Sequence, residues 1–251
     1  MNPESFIEQA KRAFAITKKD IRIYYLKGPV IIFGLFMPLF LFLAFAVGNR
    51  GLSMPFLISG LLAMTVFFTA TAVSPVIQPW EAQARTLERL IACPITMRTL
   101  IAGDMFASVL FGIGIAAVPI GIGALLGIVP LHPLLLLAGI ILASVCFSAL
   151  GLLLSTPATN VPSNIMMLSS LLKFPLVFIS GVFIPVEQLP FWGQVLAVCS
   201  PLTYFTDIAR YCIMETNTFP LAVNFAALAA FSVTFTLLAI RLHARTVSRR
   251  I

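Results

Sequence analysis

The side chains that could take part in chemistry are scarce in this chain, and four charged ones lie together in one short segment. No residue from 51 to 80 is charged, and the next nine positions then hold two glutamates and two arginines: Glu81, Arg85, Glu88 and Arg89. On a helix, Glu81 and Arg85 would stand one turn apart as a favourable pair. A charged helical face of this kind is suited to binding another protein.

The same segment also has an apolar face. Leu87, Leu90 and Ile91 follow the i, i+3, i+4 spacing of one helix side, and prolines stand close to both ends of the segment. This pattern predicts a helix over 80–92, inside a connection longer than two neighbouring helices need. We expect it to bind a partner in the cytoplasm; a simple connector on the inner leaflet is the alternative.

The sequence lacks the groups that an ATPase or a metalloenzyme needs. It contains no Gly-Lys pair, and therefore no glycine-rich loop ending in Gly-Lys-Ser/Thr to hold the phosphates of ATP. Its two histidines, His132 and His243, are far apart, so we expect no zinc site. We predict that this chain has no catalytic residue, no metal site and no bound cofactor, and that it is not an enzyme.

Two further charged residues fall inside apolar stretches. Asp104 lies in the first turns of the third stretch, where we expect it to stay near water and to be stabilised by the partial charge of the helix N-terminus. Lys173 lies near the middle of the fifth stretch, beside Pro175. It could face a water-filled path and contact an anionic or polar substrate, or it could mark a kinked, shallower helix. Both interpretations stay open.

The composition indicates which elements position these residues. The chain is 60% hydrophobic and 10% charged, whereas soluble domains carry about 25% charged residues. The apolar runs are continuous rather than alternating, which predicts an all-α integral membrane protein. Since a helix needs about 20 apolar residues to cross the hydrocarbon core, we predict a transmembrane domain over 30–241 with six spans: 30–48, 55–78, 101–129, 134–154, 164–185 and 221–240.

Positive charges predict the orientation of these spans. Most of the 16 Lys and Arg residues precede the first span, lie between the second and third, or follow the sixth. This places both termini and the segment 80–92 in the cytoplasm. The net charge of +7 therefore indicates membrane orientation and not nucleic-acid binding. We expect a multi-pass protein of the plasma (inner) membrane of a prokaryote.

The two ends of the chain differ in character. Residues 1–29 alternate apolar side chains with cations, which predicts an amphipathic helix lying on the inner membrane face. A solvated tail that only sets the topology is the alternative. Residues 242–251 form a basic cytoplasmic tail.

Two blocks of sequence resemble permease subunits of type-2 ATP-binding-cassette (ABC) exporters. The first covers 81–94 and contains Thr-Leu-Glu-Arg-Leu and then Ala-Cys-Pro. The second covers 180–190 and is followed by Ser-Pro-Leu-Thr-Tyr at 200–204. Their order and their positions relative to the spans match the family over nearly the whole chain. One departure is Gln-Ala-Arg at 83–85, where the resemblance leads us to expect an acidic residue and a glycine.

The resemblance implies a half-transporter. Two permease chains, as a homodimer or heterodimer in the lipid bilayer, would form a substrate path at their interface and bind two copies of a separate ABC ATPase. The ATPase subunits would hold ATP and Mg, and this chain would hold neither. The segment 80–92 would be a coupling helix that moves with the ATPase, with the expected contact residues Trp80, Glu81, Arg85, Leu87, Glu88, Arg89, Leu90 and Ile91.

The outer stretch 186–204 has too few apolar residues in series to span the membrane. It predicts short helices that dip into the outer interface, where aromatic side chains settle. By resemblance this re-entrant segment would form an exit gate of Pro185, Glu187, Pro190, Trp192 and Tyr204; a surface loop on lipid headgroups is the alternative. Cys199 and Cys212 could pair in an oxidising compartment, although free thiols are favoured.

The sequence says least about the substrate. Three phenylalanines on one face of the first span could line a path with a lysine and a serine of the fifth span, although lipid contact or packing also explains the aromatic rings: Phe33, Phe36, Phe40, Lys173 and Ser180. By resemblance the substrate is drug-like, amphipathic or lipidic, and a permease for polysaccharides or lipid-linked glycans is an alternative within the family. Outside it, the alternative is an ion-coupled carrier or channel that uses Lys173 and Asp104.

Overall fold

The computed structural model describes residues 3–25, 28–48, 51–86, 93, 95–156 and 161–246. Most residues in these ranges are helical, and the ranges contain no β-strand. The predicted all-α class is therefore confirmed for the described part of the chain.

The helices follow one another with short connections. Near the N-terminus, α1 (Pro3–Asp20) continues through a π-helical turn (Ile21–Tyr25), and α2 (Gly28–Ile31) continues through a second one (Ile32–Phe36) into α3 (Met37–Gly48). The later helices are α4 (Met54–Val73), α5 (Ile77–Gln83), α6 (Met97–Leu125), α7 (Pro133–Leu154), α8 (Pro162–Ile179), α9 (Phe191–Val198), α10 (Pro201–Met214) and α11 (Leu221–Thr246). A single 3₁₀ turn, Val186–Gln188, precedes α9.

The sequence marks several helix starts. A proline occupies one of the first two positions of α4, α7, α8 and α10, where its fixed φ suits the helix and its missing N–H costs nothing. At α6 the Thr96 side chain accepts a hydrogen bond from the backbone N–H of Thr99 at 3.2 Å, which satisfies one of the free donors of the first turn.

Five helical stretches among the described residues are long and apolar enough to cross a membrane. They are Met54–Gln83, Thr99–Leu125, Pro133–Leu154, Pro162–Ile179 and Leu221–His243, and they correspond to the second to sixth predicted spans. The first predicted span contains a shorter apolar stretch, Ile32–Gly48. Its crossing of the membrane stays a prediction.

Helix α4 forms the centre of the bundle. Nearly all of its residues are buried, and it packs against α3, α6, α7 and α10. The core at its middle is aromatic: the Phe67 ring meets the Phe147 ring edge-on at 5.0 Å, and Phe147 meets Phe205 at 6.0 Å. An amphipathic helix exposes its polar face, but α4 is apolar on all sides. It is therefore buried all round, as a core helix.

A break separates α4 from α5. Pro75 has no backbone N–H, so the carbonyl of Thr71, four residues earlier, loses its normal helical donor. The backbone N–H of Val76 then bonds the carbonyl of Val73 at 2.9 Å, and a new helix begins at Ile77. The break therefore lies where the second span leads into the polar segment.

Candidate functional site

Helix α5 carries the first residues of the predicted coupling segment and is fixed to the N-terminal helix. The Trp80 ring stacks on the Tyr24 ring with centroids 5.5 Å apart and planes 15° from parallel. The Glu81 side chain is only 1% exposed and accepts a hydrogen bond from Lys19 Nζ. The expected pairing of Glu81 with Arg85 is therefore wrong, because the nearer Lys19 takes the carboxylate while Arg85 is exposed.

Four charged side chains from three helices meet at this point. Lys19 Nζ lies 3.0 Å from Asp20 Oδ1 and also pairs with Glu81, while Asp20 contacts Asp104 of α6. We call Lys19, Asp20, Glu81 and Asp104 the buried charge cluster. The three carboxyl side chains are almost fully enclosed, so Lys19 attracts all three with little screening and joins α1, α5 and α6, while the carboxyl groups repel one another.

The burial of this cluster shifts the pKa values of its α1 members. Burial raises the pKa of Asp20 above the ordinary carboxyl range, and the attraction of Lys19 only partly offsets it. Burial alone would lower the pKa of Lys19, but the attraction of Asp20, Glu81 and Asp104 outweighs it and raises that pKa. Lys19 therefore stays charged as the counter-ion of an acidic pocket.

Asp104 is not where the sequence led us to expect it. It lies within the first turns of α6, but it is fully buried instead of being near water. The physical reason is that α1 packs over the start of α6 and covers the carboxyl group. Asp104 and Lys173, the pair on which the ion-coupled alternative depends, also lie in different places, since Asp104 interacts with Asp20, Glu81 and Lys19.

Close packing holds α1 on α6. A Cβ added to Gly103 would lie 2.8 Å from Ile16 Cβ and 2.9 Å from the Ala13 carbonyl oxygen, so only glycine permits this approach. The Thr17 hydroxyl donates to the Gly103 carbonyl at 3.0 Å. A further polar contact joins Thr99 Oγ1 to Gln9 Oε1 at 2.7 Å. The helix is thus fixed along several turns and not only at its charged end.

The chain turns sharply after α5. The helix ends at Gln83, and Arg85 has φ of 53°, in the left-handed region that favours glycine. The sequence departure noted above thus falls where the backbone conformation suits the expected glycine. The predicted helix over 80–92 is not continuous through 84–85, and its remaining contact residues, Leu87, Glu88, Arg89, Leu90 and Ile91, lie outside the described residues.

A cavity of about 170 Å³ lies beside α5, at the break between α4 and α5. Lys173 of α8 lines it, is 8% exposed, and donates from Nζ to the freed carbonyl of Thr71 at 2.6 Å. The lysine thus satisfies the acceptor that Pro75 leaves without its helical partner. Lys173 is therefore enclosed within the protein, and α8 continues as a helix through Pro175. Contact of Lys173 with a substrate stays a prediction.

The other residues predicted for a substrate path have different surroundings. Phe33 lines the cavity and is also 58% exposed. Phe36 and Phe40 stack on each other at 6.3 Å on the protein surface. Ser180 is buried away from the cavity lining; its hydroxyl contacts the Ser200 hydroxyl at 2.7 Å and the Leu176 carbonyl. The serine therefore joins the end of α8 to the start of α10.

The outer segment contains a 3₁₀ turn and the short helix α9, and it leads into α10, a helix that the sequence analysis missed. Pro185 and Pro190 flank the 3₁₀ turn that contains Glu187, and Pro190 precedes α9. Trp192 is exposed on α9, whereas Tyr204 lies in α10 and donates to the Val198 carbonyl at 2.7 Å. Helix α10 is buried almost throughout, so this part of the segment belongs to the core.

Two charged residues of α10 hold this outer region together. Arg210 donates to the Gly181 carbonyl, and its guanidinium lies 3.9 Å from the centre of the Phe56 ring. Asp207 accepts from the backbone N–H groups of Thr218 and Phe219 at 2.7 and 2.9 Å. Cys199 and Cys212 are both free.

Sequence reasoning missed the α1 half of the buried charge cluster. The signal was present: Ala13, Ile16, Thr17 and Asp20 follow i, i+3, i+4, i+7 spacing, which marks a helix face. The larger apolar side chains Ile7 and Phe14 lie off this face and are exposed, so they do not mark the packed side of α1. An aspartate on a stripe of small and apolar side chains indicates a buried acid with a partner.

Comparison with known proteins gives consistent results. The family model described as "ABC-2 type transporter" matches residues 11–214. The chain is 28% identical over 186 residues to the inner membrane transport permease YadH of Escherichia coli, covering 74% of this chain and 72% of that protein. It is 26% identical over 155 residues to nodulation protein J of Bradyrhizobium diazoefficiens, covering 59% and 57%, and 28% identical over 163 residues to nodulation protein J of Rhizobium leguminosarum, covering 62% and 60%.

Proposed function

The chain belongs to the ABC-2 type transporter family, and from this premise we propose that it is the permease subunit of an ATP-driven exporter. As a member of this family with several membrane-length apolar helices, it is a multi-pass membrane transport protein. We propose further that it works as a dimer and couples to a separate ATPase, two copies of which supply ATP and Mg.

The observation that carries the proposal is the anchoring of α5. Trp80 and Glu81, which open the predicted coupling segment, contact α1 through Tyr24 and Lys19. Through the buried charge cluster they are also joined to the start of α6. A force applied to the segment 80–92 would therefore move the inner ends of three helices together. This is the mechanical property that a coupling element needs.

The membrane arrangement completes the proposal. We propose six spans with both termini in the cytoplasm, the first being the short apolar stretch Ile32–Gly48, and an outer re-entrant segment formed around α9. Helix α1 would lie at the inner membrane surface, with Ile7 and Phe14 directed to lipid, since both are exposed on a helix whose other face packs on α6.

The exposed apolar face of α8 supports dimerisation. Met167 and Leu171, one turn apart, are 77% and 69% exposed, so a second permease chain or lipid must cover them in the membrane. We assign the interface to this face and propose a drug-like, amphipathic or lipidic substrate. The ion-coupled alternative has less support, because Asp104 belongs to the buried charge cluster and Lys173 does not.

Co-purification tests the proposal. The wild-type chain in detergent is expected to retain the ABC ATPase encoded beside it, and Glu88→Arg and Leu90→Asp should lose it by placing a repulsive charge or a buried carboxylate at the docking surface. Glu187→Arg is the matched control, because Glu187 is exposed at the opposite end of the bundle. Retention of the ATPase by both coupling-segment variants, or no retention by wild type, would contradict the proposal.

A further inference from the structure

We propose that the cavity beside Lys173 binds the anionic head of a singly charged amphipathic molecule, whose apolar tail leaves the cavity between α8 and the Ile32–Phe36 turn. Where it concerns the transported substrate, this proposal rests on the proposed function. As a statement about binding it concerns this chain alone, and it can be tested without an ATPase.

The first step is the charge of the cavity. Lys173 is the only charged residue among the described residues that line it, and no carboxylate of the described chain forms a salt bridge with it. A lysine ammonium has three N–H donors, and the structure gives Lys173 a single acceptor, the Thr71 carbonyl oxygen. An enclosed lysine with unused donors favours an anion as its partner, because a paired anion compensates the cost of a charged ammonium where the dielectric constant is low.

A second polar group lies in the same wall. Ser169, one helical turn before Lys173, is 2% exposed, and its hydroxyl has no hydrogen-bond partner among the described residues. Buried hydroxyls normally have such a partner. A carboxylate or phosphate oxygen in the cavity would accept from both Lys173 and Ser169, which satisfies the orphaned donor and the charge together.

The remaining walls exclude a fully hydrophilic ligand. Apart from Ser169, Ser170 and Lys173, the lining is apolar or aromatic: Val30, Phe33, Met37, Phe68, Ala72, Pro75, Val76, Trp80, Met166 and Phe174. Binding a free inorganic anion would leave this surface without apolar contacts. An alkyl chain next to the charged head covers this surface. Each Å² of apolar surface removed from water then stabilises binding by about 25 cal/mol.

Size and opening decide how much of the ligand fits. A volume of about 170 Å³ is smaller than the cavities that enclose drug-sized molecules, which are about 300–1,000 Å³, so the cavity holds a headgroup and a few carbons. Phe33 on one side and Met166 and Phe174 on the other are partly exposed. They mark a lateral opening between α8 and the Ile32–Phe36 turn, and the rest of the tail leaves there.

The chain provides its own reporter. Trp80 lines the cavity, and the only other tryptophan is Trp192. In a Trp192→Phe background, quenching of Trp80 fluorescence by a bromine-labelled amphiphile measures occupancy near the cavity. The probes carry bromine among the carbons nearest the head: 6-bromododecanoate, its alcohol 6-bromododecan-1-ol, and the cationic (6-bromododecyl)trimethylammonium, each titrated into the purified chain in a neutral detergent.

We expect saturable quenching by the carboxylate, with an apparent Kd at least about tenfold weaker in Lys173→Met, since hydrogen bonds to charged groups are worth more than neutral ones. Ser169→Ala should weaken binding by a few-fold only. The alcohol and the cation should quench wild type and Lys173→Met alike. Inorganic phosphate at millimolar concentration should not displace the carboxylate.

Equal quenching by all three probes, or no difference between wild type and Lys173→Met, would overturn the proposal, because the amphiphiles would then be associating only with the apolar surface. Displacement by inorganic phosphate would overturn the amphiphile assignment. Lys173→Arg keeps the charge and is expected to keep binding, and unchanged quenching of Lys173→Met by the alcohol distinguishes loss of the cation from a folding defect. A positive result with failed ATPase co-purification would retain the site and remove the exporter role.

Discussion

Replacing Lys19 with methionine is the sharpest test of the buried charge cluster. The substitution keeps the length and apolar stem of the side chain but removes the cation that faces Asp20, Glu81 and Asp104. Breaking a buried ion pair by removing one partner costs about 3–5 kcal/mol. The Lys19 side chain is 25% exposed, so water recovers part of this loss. We therefore expect a decrease of about 2 kcal/mol in the free energy of unfolding.

A double-mutant cycle isolates the contribution of the Lys19–Glu81 pair. Glu81→Gln removes one buried negative charge, so Lys19 has less to neutralise in that background. We expect Lys19→Met to cost about 1–2 kcal/mol less in Glu81→Gln than in wild type, within the range found for residues in direct contact. Lys18→Met, at an exposed neighbouring lysine, should change stability by less than about 0.5 kcal/mol.

The assay is reversible unfolding in mixed detergent micelles with increasing denaturing detergent, followed through the fluorescence of Trp80 in a Trp192→Phe background. Because Trp80 stacks on Tyr24, its signal reports separation of α1 from α5 directly. The reasoning would be refuted if Lys19→Met matched Lys18→Met. It would also be refuted if the Lys19 and Glu81 effects were additive within about 0.5 kcal/mol.

Two further predictions concern backbone positions. Gly103→Val should displace α1, because its Cβ would overlap Ile16 and the Ala13 carbonyl, and should lower the free energy of unfolding by about 1–3 kcal/mol. Faster alkylation of a Thr17→Cys probe would report the displacement. Gly114→Val, which has open space around it, should leave the alkylation rate unchanged. Arg85→Gly should raise the free energy of unfolding by about 1 kcal/mol by relieving left-handed strain. Ala84→Gly, at φ of −81°, should lower it slightly, and equal effects of the two glycine variants would contradict this reason.

The membrane helices could be predicted because a continuous apolar run of about 20 residues is long enough to cross the hydrocarbon core as a helix. The second to sixth predicted spans each correspond to a described helix. The 30-residue stretch Met54–Gln83 shows the limit of this reasoning, since hydropathy marks its length but not the break at Pro75.

Tertiary partners were harder to predict because each belongs to a distant part of the chain. Lys19 and Glu81 are 62 positions apart, and Lys173 and Thr71 are 102 apart. Local spacing predicted an ion pair between Arg85 and Glu81, which is possible on an isolated helix. In the folded chain Glu81 pairs instead with Lys19 of a neighbouring helix. The buried helix α10 was missed for a related reason. Its polar residues, such as Asp207 and Arg210, make it look like a surface segment, whereas they bond inward.

The bond from Lys173 to the carbonyl of Thr71 has a thermodynamic consequence for the two regions that it connects. The same ammonium contacts the break from which α5 departs and lines the cavity in which we place an anion. If occupancy of the cavity weakens that bond and so changes the position of α5, linkage requires the converse by the same factor. Any partner that repositions α5 must then alter the affinity of the cavity for its ligand, so that binding and release of the ligand depend on the same equilibrium as the position of α5.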